Sequence, residues 1–588
     1  MKKILAILLC LLSYAALFPV EIMKLSEIKT GMEGYGKTIF KGTKIERFQF
    51  KVLGFIEKFA PDKDLIIVEL KSPVLENNGV VSGMSGSPLY IEDKIIGAVA
   101  YGFRFSKTPI AGVTPIEYIL ETSQYNTPTY SIDISNIKLE FDEKNTETIA
   151  RLVQEEIIRR ASFSPRQSLT PIKLISANKG MHPSVLSYWQ PVFTPLDSLK
   201  ISQTIDKPSV TETLFSIQPA DAAAVPLIRG DFEISASGTV THVDGKNIYL
   251  FGHPFFNLGT VDFPLHKAEV ISVVPSYEEP FRLVTTQNMI GHVAQDRFSG
   301  IQGELGSSPY MIPMEVFLKN RSRKFKVEMI NHPLLTPALT AISLQNVFAS
   351  EYQQVGFNSI HVSGKIFIEN EKNITINDLF SGTNCFNDFA NLILAVNFFL
   401  MNNPEKRVKI QKIDFEIGGS EIVKRTHLEN VIINKNSFLP GEMVDVKLFF
   451  KNERGNLVTD SANIKTPSLK SGSDFYLMVA DRAEMGKFEA KNIRTNYFPI
   501  RLNALIRAIN NLRKNNRLYF KILAPAEGLF ISGYEYSNLP SSLKNVFIFN
   551  SSSNNQSEIK YSTLMEYQME VPAVVTGKKW FKLKIKER

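Results

Sequence analysis

Short apolar runs broken by glycine recur between about residues 23 and 120, at 48–55, 65–70, 89–91 and 95–101. Runs of this length, rich in β-branched and aromatic residues, predict strands, and their density predicts a compact barrel or half of a sandwich. The period then changes. Ile149, Leu152, Val153 and Ile157 recur at helical spacing behind the cap candidates Asn145 and Thr146, and Glu155, Glu156, Arg159 and Arg160 supply a wet face. Residues 162–226 are rich in Pro and Ser with weak periodicity, which predicts a long connection, and β-patterning resumes from 232 to about 316. The run 386–401 is strongly hydrophobic but carries Asn387, Asp388, Asn391 and Asn397, so it predicts a helix buried in protein rather than lipid. Farther on, Val444, Val446, Leu448 and Phe450 alternate after a Pro440-Gly441 turn, as in a half-buried sandwich strand. Leu502, Leu505, Ile506, Ile509 and Leu512 predict one amphipathic helix with Arg501, Arg507, Arg513 and Lys514 outward. The final run 581–586 alternates apolar residues with lysine, predicting a terminal strand whose exposed side is protected by charge.

A chain of 588 residues is long enough for three or four domains, and 41 Phe with 19 Tyr reinforce the β assignment. The net charge of +8 comes from scattered basic residues, so no nucleic-acid stripe is evident. Lys2 and Lys3, the apolar run 4–12 and the small residues Ser13, Ala15 and Ala16 form a signal-peptide pattern. The apolar run is too short for a membrane anchor before Pro19 and Glu21 intervene. Export with cleavage near Ala15 is therefore expected, to a periplasmic or extracellular site, with no stable membrane span. Leu8 and Leu9 stand where a lipidation signal at Cys10 would need small residues, so lipidation is not expected. Cleavage would remove Cys10, leave Cys385 as the single cysteine and preclude an internal disulfide.

One stretch, Gly31-Met-Glu-Gly-Tyr-Gly-Lys-Thr38, satisfies a phosphate-loop pattern. Its context argues against nucleotide binding. Residues 24–29 are too polar for the required buried strand, and a glycine-punctuated run follows where a helix should place its amides on phosphate. The stronger signal is Gly83-Met-Ser-Gly-Ser-Pro88, between the turn residues Asn77-Asn78-Gly79 and the hairpin 89–101. A nucleophilic serine needs an unhindered Oγ beside backbone amides that converge on an oxyanion. Glycines two before and one after Ser85 permit that turn, with the amides of Gly83 and Ser85 as oxyanion donors and Ser87 as a neighbour. A plain turn joining two strands would account for the hexapeptide equally well.

Of eight histidines, His253 in Phe251-Gly-His-Pro-Phe255 ends a β-like run and sits at a strand-to-loop junction. His242 alternates with Val240 in mid-strand, and His182, His266 and His332 lie in loop-like or proline-flanked contexts. His292, His361 and His427 have no partner motif, so packing roles suit these seven. No histidine pair has zinc spacing and no cysteine cluster exists, so neither a metal nor another cofactor is expected.

Several glycine-anchored blocks in series resemble the SpoIVB serine peptidase family. They are Gly31-Met-Glu-Gly-Tyr-Gly-Lys-Thr, Phe40-Lys-Gly-Thr, Asp64-Leu-Ile-Ile-Val, Gly83-Met-Ser-Gly-Ser-Pro, Ile96-Gly-Ala-Val-Ala-Tyr-Gly and Ala111-Gly-Val-Thr-Pro-Ile-Glu. Later, Gly238-Thr-Val-Thr-His-Val-Asp-Gly and Phe251-Gly-His-Pro resemble its histidine-bearing segment, so the likeness spans roughly residues 31–306. The resemblance implies a chymotrypsin-like double β-barrel, a nucleophile at Ser85 and a base at His253. The chain departs from the family in order, since the family's histidine precedes its serine, and this suggests a permuted pair of barrels; triads tolerate any chain order. It also carries Leu70-Lys-Ser-Pro73 where the family has an upstream acid. The third member is open among Asp64, Asp262 and Asp296.

The expected architecture is mainly β: a double barrel with its serine half (16–125) ahead of its histidine half (226–316), after a signal segment at 1–15. A helical connection (126–225) separates the halves, a mixed segment with a buried helix (317–407) follows, and a β-rich, sandwich-like C-terminal region with a few helices occupies 408–588. The expected function is peptide-bond hydrolysis by Ser85 and His253 through an acyl-enzyme, acting on a protein or peptide of the cell envelope. The alternative is a non-catalytic envelope scaffold or peptide-binding protein that retains the fold.

Overall fold

The computed structural model describes residues 21–586 except 104–105, 126–131, 135–136, 138, 162–168, 178, 193–195, 199–216, 277–279, 353–357, 493–500, 532–533, 538 and 550–555. The proposed signal segment and its cleavage site lie outside these residues. The glycine-punctuated runs form β1 (Glu33–Ile39), β2 (Ile45–Ala60), β3 (Lys63–Lys71), β4 (Pro88–Ile91), β5 (Lys94–Phe103) and β6 (Ile110–Pro115). Their pairing order is β1-β2-β3-β6-β5-β4, and β4 returns to β1, which closes a six-stranded barrel. Glycine is needed inside β1 because a Cβ on Gly36 would meet the Phe48 ring of β2 at 2.2 Å. Phe48, Phe50, Val52, Ile66, Val68 and Leu70 point inward on alternate positions and fill the barrel. The phosphate-loop pattern is spent on a turn at Gly31 followed directly by strand β1, with no helix after it.

The connection expected at 162–226 contains short strands, β7 (Leu169–Pro171), β8 (Leu174–Ala177) and β9 (Leu196–Ser198). A second ring follows, formed by β10 (Ala222–Gly230), β11 (Ile234–Asp244), β12 (Asn247–Leu250), β13 (Gly259–Val274), β14 (Phe281–Arg297) and β15 (Gly300–Leu305). It runs β10-β13-β14-β15-β12-β11 and closes through β10–β11 pairing. The fold is thus mainly β with a chymotrypsin-like double barrel, the serine half first. β7 pairs with β5 of the first barrel and β8 with β11 of the second, so residues 169–177 pass from one barrel to the other.

Beyond β10 the second sheet continues through β16 (Met311–Leu318), β17 (Arg323–Ile330), β18 (Asn358–Ile368), β19 (Ile374–Gly382) and β20 (Ile410–Ser420). Helices Glu143–Ala161, Leu335–Glu351 and Cys385–Met401 share its large apolar core. Two polar groups of the last helix find partners there: Asn397 Nδ2 donates to Thr340 Oγ1 at 3.1 Å and Asn387 Oδ1 accepts from Gln345 Nε2 at 3.0 Å. The first helix starts at Glu143, ahead of the expected caps. Asp142 accepts the Asn145 amide at 2.8 Å, so Asn145 and Thr146 lie inside the first turn.

Strand β20 pairs with β16 and β18 rather than with the C-terminal region. That region is a sandwich whose sheets share Leu428, Val446, Leu448, Phe475, Leu477, Phe520 and Ile522. Helix Leu502–Asn510 forms as its periodicity predicts, but Leu502, Leu505, Ile506 and Ile509 pack into the large helical core instead of the sandwich. Among the described residues no helix is long and apolar enough to cross a membrane.

Candidate active site

Ser85 lies in a tight loop ahead of β4, where Met84 N–H bonds Val81 C=O and Ser87 N–H bonds Met84 C=O. Gly83 and Gly86 have φ near +90° and +94°, a region that L side chains avoid. A Cβ on Gly86 would also sit 2.0 Å from the Thr239 carbonyl of β11. That close approach lets the second barrel grip the loop. Thr239 N–H donates to Ser85 C=O (2.8 Å), Thr239 Oγ1 to Gly83 C=O (3.1 Å) and Thr241 Oγ1 to Gly86 C=O (2.8 Å).

Behind this grip Arg282 of β14 is fully buried. Its guanidinium donates to Thr239 Oγ1 at 3.2 Å and to Thr38 Oγ1, and Thr38 Oγ1 lies 2.9 Å from Ser87 Oγ. Burial pulls its pKa down to about 9, which leaves it charged at neutral pH.

The reciprocal hold is on the histidine. His253 follows β12 after Phe251 and Gly252, whose φ angles are +67° and +69°. Phe251 is a β-carbon residue in the left-handed region, a strained conformation that the surrounding packing must sustain. Thr114 of β6, in the first barrel, donates to Gly252 C=O at 2.6 Å. Each barrel thus fixes the reactive loop of the other.

His253 Nε2 lies 2.5 Å from Ser85 Oγ, and Nδ1 lies 2.8 Å from Pro254 C=O. A carbonyl only accepts, so Nδ1 carries the hydrogen. Desolvation pulls the His253 pKa down to about 4, so the ring is neutral at neutral pH and Nε2 is bare. The single Ser85 hydroxyl hydrogen has two acceptors in reach, the bare Nε2 and, at 2.8 Å, Phe251 C=O; turned to Nε2, it is donated from serine to histidine. This is the tautomer and direction that a general base requires.

The acids fall elsewhere. Asp64 is not brought to His253: at the β2–β3 hairpin it accepts the Lys58 amide at 2.7 Å, a turn role set by the chain reversal beside Pro61 and Asp62. Asp262 accepts the Tyr310 amide at 3.3 Å. Asp296 is buried behind the histidine loop, where it accepts amides from Phe255 and Phe256 (2.8 Å each) and Leu258 (3.3 Å). Burial pushes its pKa up to about 6, against those amides, which favour the carboxylate. It fixes the loop after His253 rather than the ring. Among the described residues the ring's Nδ1 is oriented by a carbonyl.

Of the two amides expected to hold an oxyanion, that of Gly83 donates to Lys173 C=O at 3.1 Å. Thr239 and Thr241 lie within the block Gly238–Gly245 that carried the resemblance, so their importance had a sequence signal. Thr114 lies likewise within the block Ala111–Glu117, whereas Arg282 had no such signal, being one polar residue within an ordinary strand.

Two closed barrels with a serine and a histidine meeting between them make the arrangement of chymotrypsin-like serine peptidases. Residues 13–119 match the family model of the SpoIVB peptidase S55, so the first barrel, with Ser85, is similar to a family of serine peptidases. The match ends before His253. No curated protein and no solved structure matches the chain.

Proposed function

We propose that the protein is an exported serine peptidase that cleaves peptide bonds of envelope proteins or peptides with Ser85 as nucleophile and His253 as base. The 2.5 Å approach of Ser85 Oγ to a neutral His253 Nε2 carries this reading. As Oγ attacks the scissile carbonyl, Nε2 takes its proton and the amides of Gly83 and Ser85 hold the oxyanion. The protonated ring then delivers that proton to the leaving amine, and water releases the acyl group by the same steps. Pro254 C=O keeps the tautomer but offers only a dipole to the imidazolium, so turnover slower than that of a carboxylate-supported triad is expected. The signal-like segment 2–16 supports export.

A fluorophosphonate probe should label Ser85 in the folded protein and not after heat denaturation. A second reading, a peptide-binding scaffold, is favoured by the absence of a carboxylate from the ring's Nδ1 among the described residues. It predicts no labelling under any condition.

A further inference from the structure

Ser85 is 0 % exposed and His253 2 % exposed, although both would have to meet a substrate. The residues that cover them belong to this chain. β4 pairs with β5 only as far as Ala98, and beyond that point β7 occupies the edge of β5. The register is antiparallel: Phe103 faces Leu169, Gly102 faces Thr170 and Tyr101 faces Pro171. The pairing extends one step further, since Ile172 N–H donates to Ala100 C=O at 2.9 Å. Hydrogen-bonded and open positions alternate along such a ladder, so Pro171 falls at an open one and its missing N–H costs nothing.

The next carbonyl, that of Lys173, accepts the Gly83 amide, where an oxyanion would be held. The backbone of Ile172, like that of Pro254, favours the charged form of the His253 ring against its desolvation, which puts the segment beside that ring. Leu169 is 1 % exposed among Phe59, Leu65, Ala100 and Tyr101, and Ile172 is 5 % exposed within the first barrel's core cluster. After Lys173 the chain joins β11 of the second barrel through β8, so this segment runs along the cleft between the barrels.

An extended peptide on a sheet edge, with a carbonyl at an oxyanion donor and aliphatic side chains buried beside it, is a substrate's posture. We propose that residues 169–173 form an intramolecular strap that occupies the substrate's place, and that an extended peptide with an aliphatic residue in Ile172's position binds antiparallel to β5 when the strap leaves. The proposal rests on the peptidase reading for its chemistry, and on the β5 pairing for its geometry. Because the strap is tethered, it competes at an effective concentration on the order of millimolar, which holds the cleft shut against dilute peptides. Opening is a population shift: the apparent affinity for substrate is reduced by the fraction of molecules unstrapped.

The test is a reversible lock. Gly102 and Thr170 are register partners at a hydrogen-bonded position, where Cα atoms stand about 5.5 Å apart, within disulfide reach. A Cβ on Gly102 would have its nearest neighbours at 3.7–3.8 Å, so a cysteine fits. In the Gly102→Cys/Thr170→Cys variant, fluorophosphonate labelling of Ser85 should fall about tenfold or more on oxidation and return with reductant, while the wild type is indifferent to both. Equal labelling in the two redox states would leave the peptidase reading standing and overturn the strap.

A second arm needs no chemistry. With Ser85→Ala added, a fluorescein-labelled peptide of residues 169–174 (Leu-Thr-Pro-Ile-Lys-Leu), titrated to the order of millimolar where it matches the tethered strap, should bind the reduced form and not the oxidised one. That result without any labelling of Ser85 would sink the peptidase reading and keep the strap; binding to both forms or to neither overturns it. Should the cysteine pair fail to fold, Ile172→Asp places a carboxylate in an apolar pocket, and should expel the strap and raise labelling about tenfold above wild type. No rise there counts against the proposal equally.

Discussion

Replacing Thr239 with valine removes one hydroxyl and keeps the shape of the side chain, so it isolates the grip of the second barrel on the nucleophile loop. In the wild type that hydroxyl donates to Gly83 C=O and accepts from the Arg282 guanidinium, all three residues being buried or enclosed. The variant leaves a buried carbonyl and one arm of a buried cation unpaired. A lost neutral partner costs about 1–3 kcal/mol and a lost bond to a charged group about 1.5–3 kcal/mol, so a destabilisation of about 2.5–6 kcal/mol is expected. The chemical effect should exceed the loss of folded protein. In the proposed mechanism the amide of Gly83 is an oxyanion donor, and misaiming one such donor costs about 10²–10³ in kcat. Urea denaturation of Thr239→Val and Thr239→Ser, with the rate of Ser85 labelling measured on folded protein, separates the two effects. Serine restores the hydroxyl and should recover most of both. A valine variant within about 0.5 kcal/mol of wild type and labelled at the same rate would refute the argument.

Ser85→Ala and His253→Ala should each abolish hydrolysis with the fold retained, and the double variant should be hardly slower than either, because the two act as one unit; additive losses in kcat would count against a shared mechanism. The buried His253 has its folded pKa lowered from 6.5 to about 4, so the unfolded chain binds the extra proton between these values. Stability from this residue is therefore complete above about pH 6.5 and is lost as pH falls toward 4, by roughly 3 kcal/mol. Urea midpoints of His253→Asn should accordingly fall less between pH 7 and 4.5 than those of wild type, and an equal fall would contradict the burial of a neutral ring. Asp64→Asn should leave turnover within about twofold, because its carboxylate serves the β2–β3 hairpin; a loss near 10⁴-fold would make Asp64 the orienting acid after all.

The period of apolar residues determined by itself that the first barrel would be strands, that the stretch around Ile149–Ile157 would be helical and that the polar-studded run at 386–401 would be a buried helix. Glycine spacing around Ser85 and the strand-end position of His253 made the candidate pair legible, since tight turns and positive φ angles leave a mark on local sequence. What each side chain faces was decided by tertiary structure. Asp64 sits in a block that resembles the family, yet a hairpin takes its carboxylate. The 502–510 helix showed its apolar face in sequence, but only the fold chose the large core over the sandwich as its partner. Arg282 is one cation in a long strand, and its place behind the nucleophile loop depends on Thr38 and Thr239, contributed by two different barrels. Leu169-Thr-Pro-Ile-Lys reads as connection because proline interrupts any period. It becomes a strand only where β5 offers an unpaired edge beside Ser85, and such long-range pairing is set by contacts that no local pattern encodes.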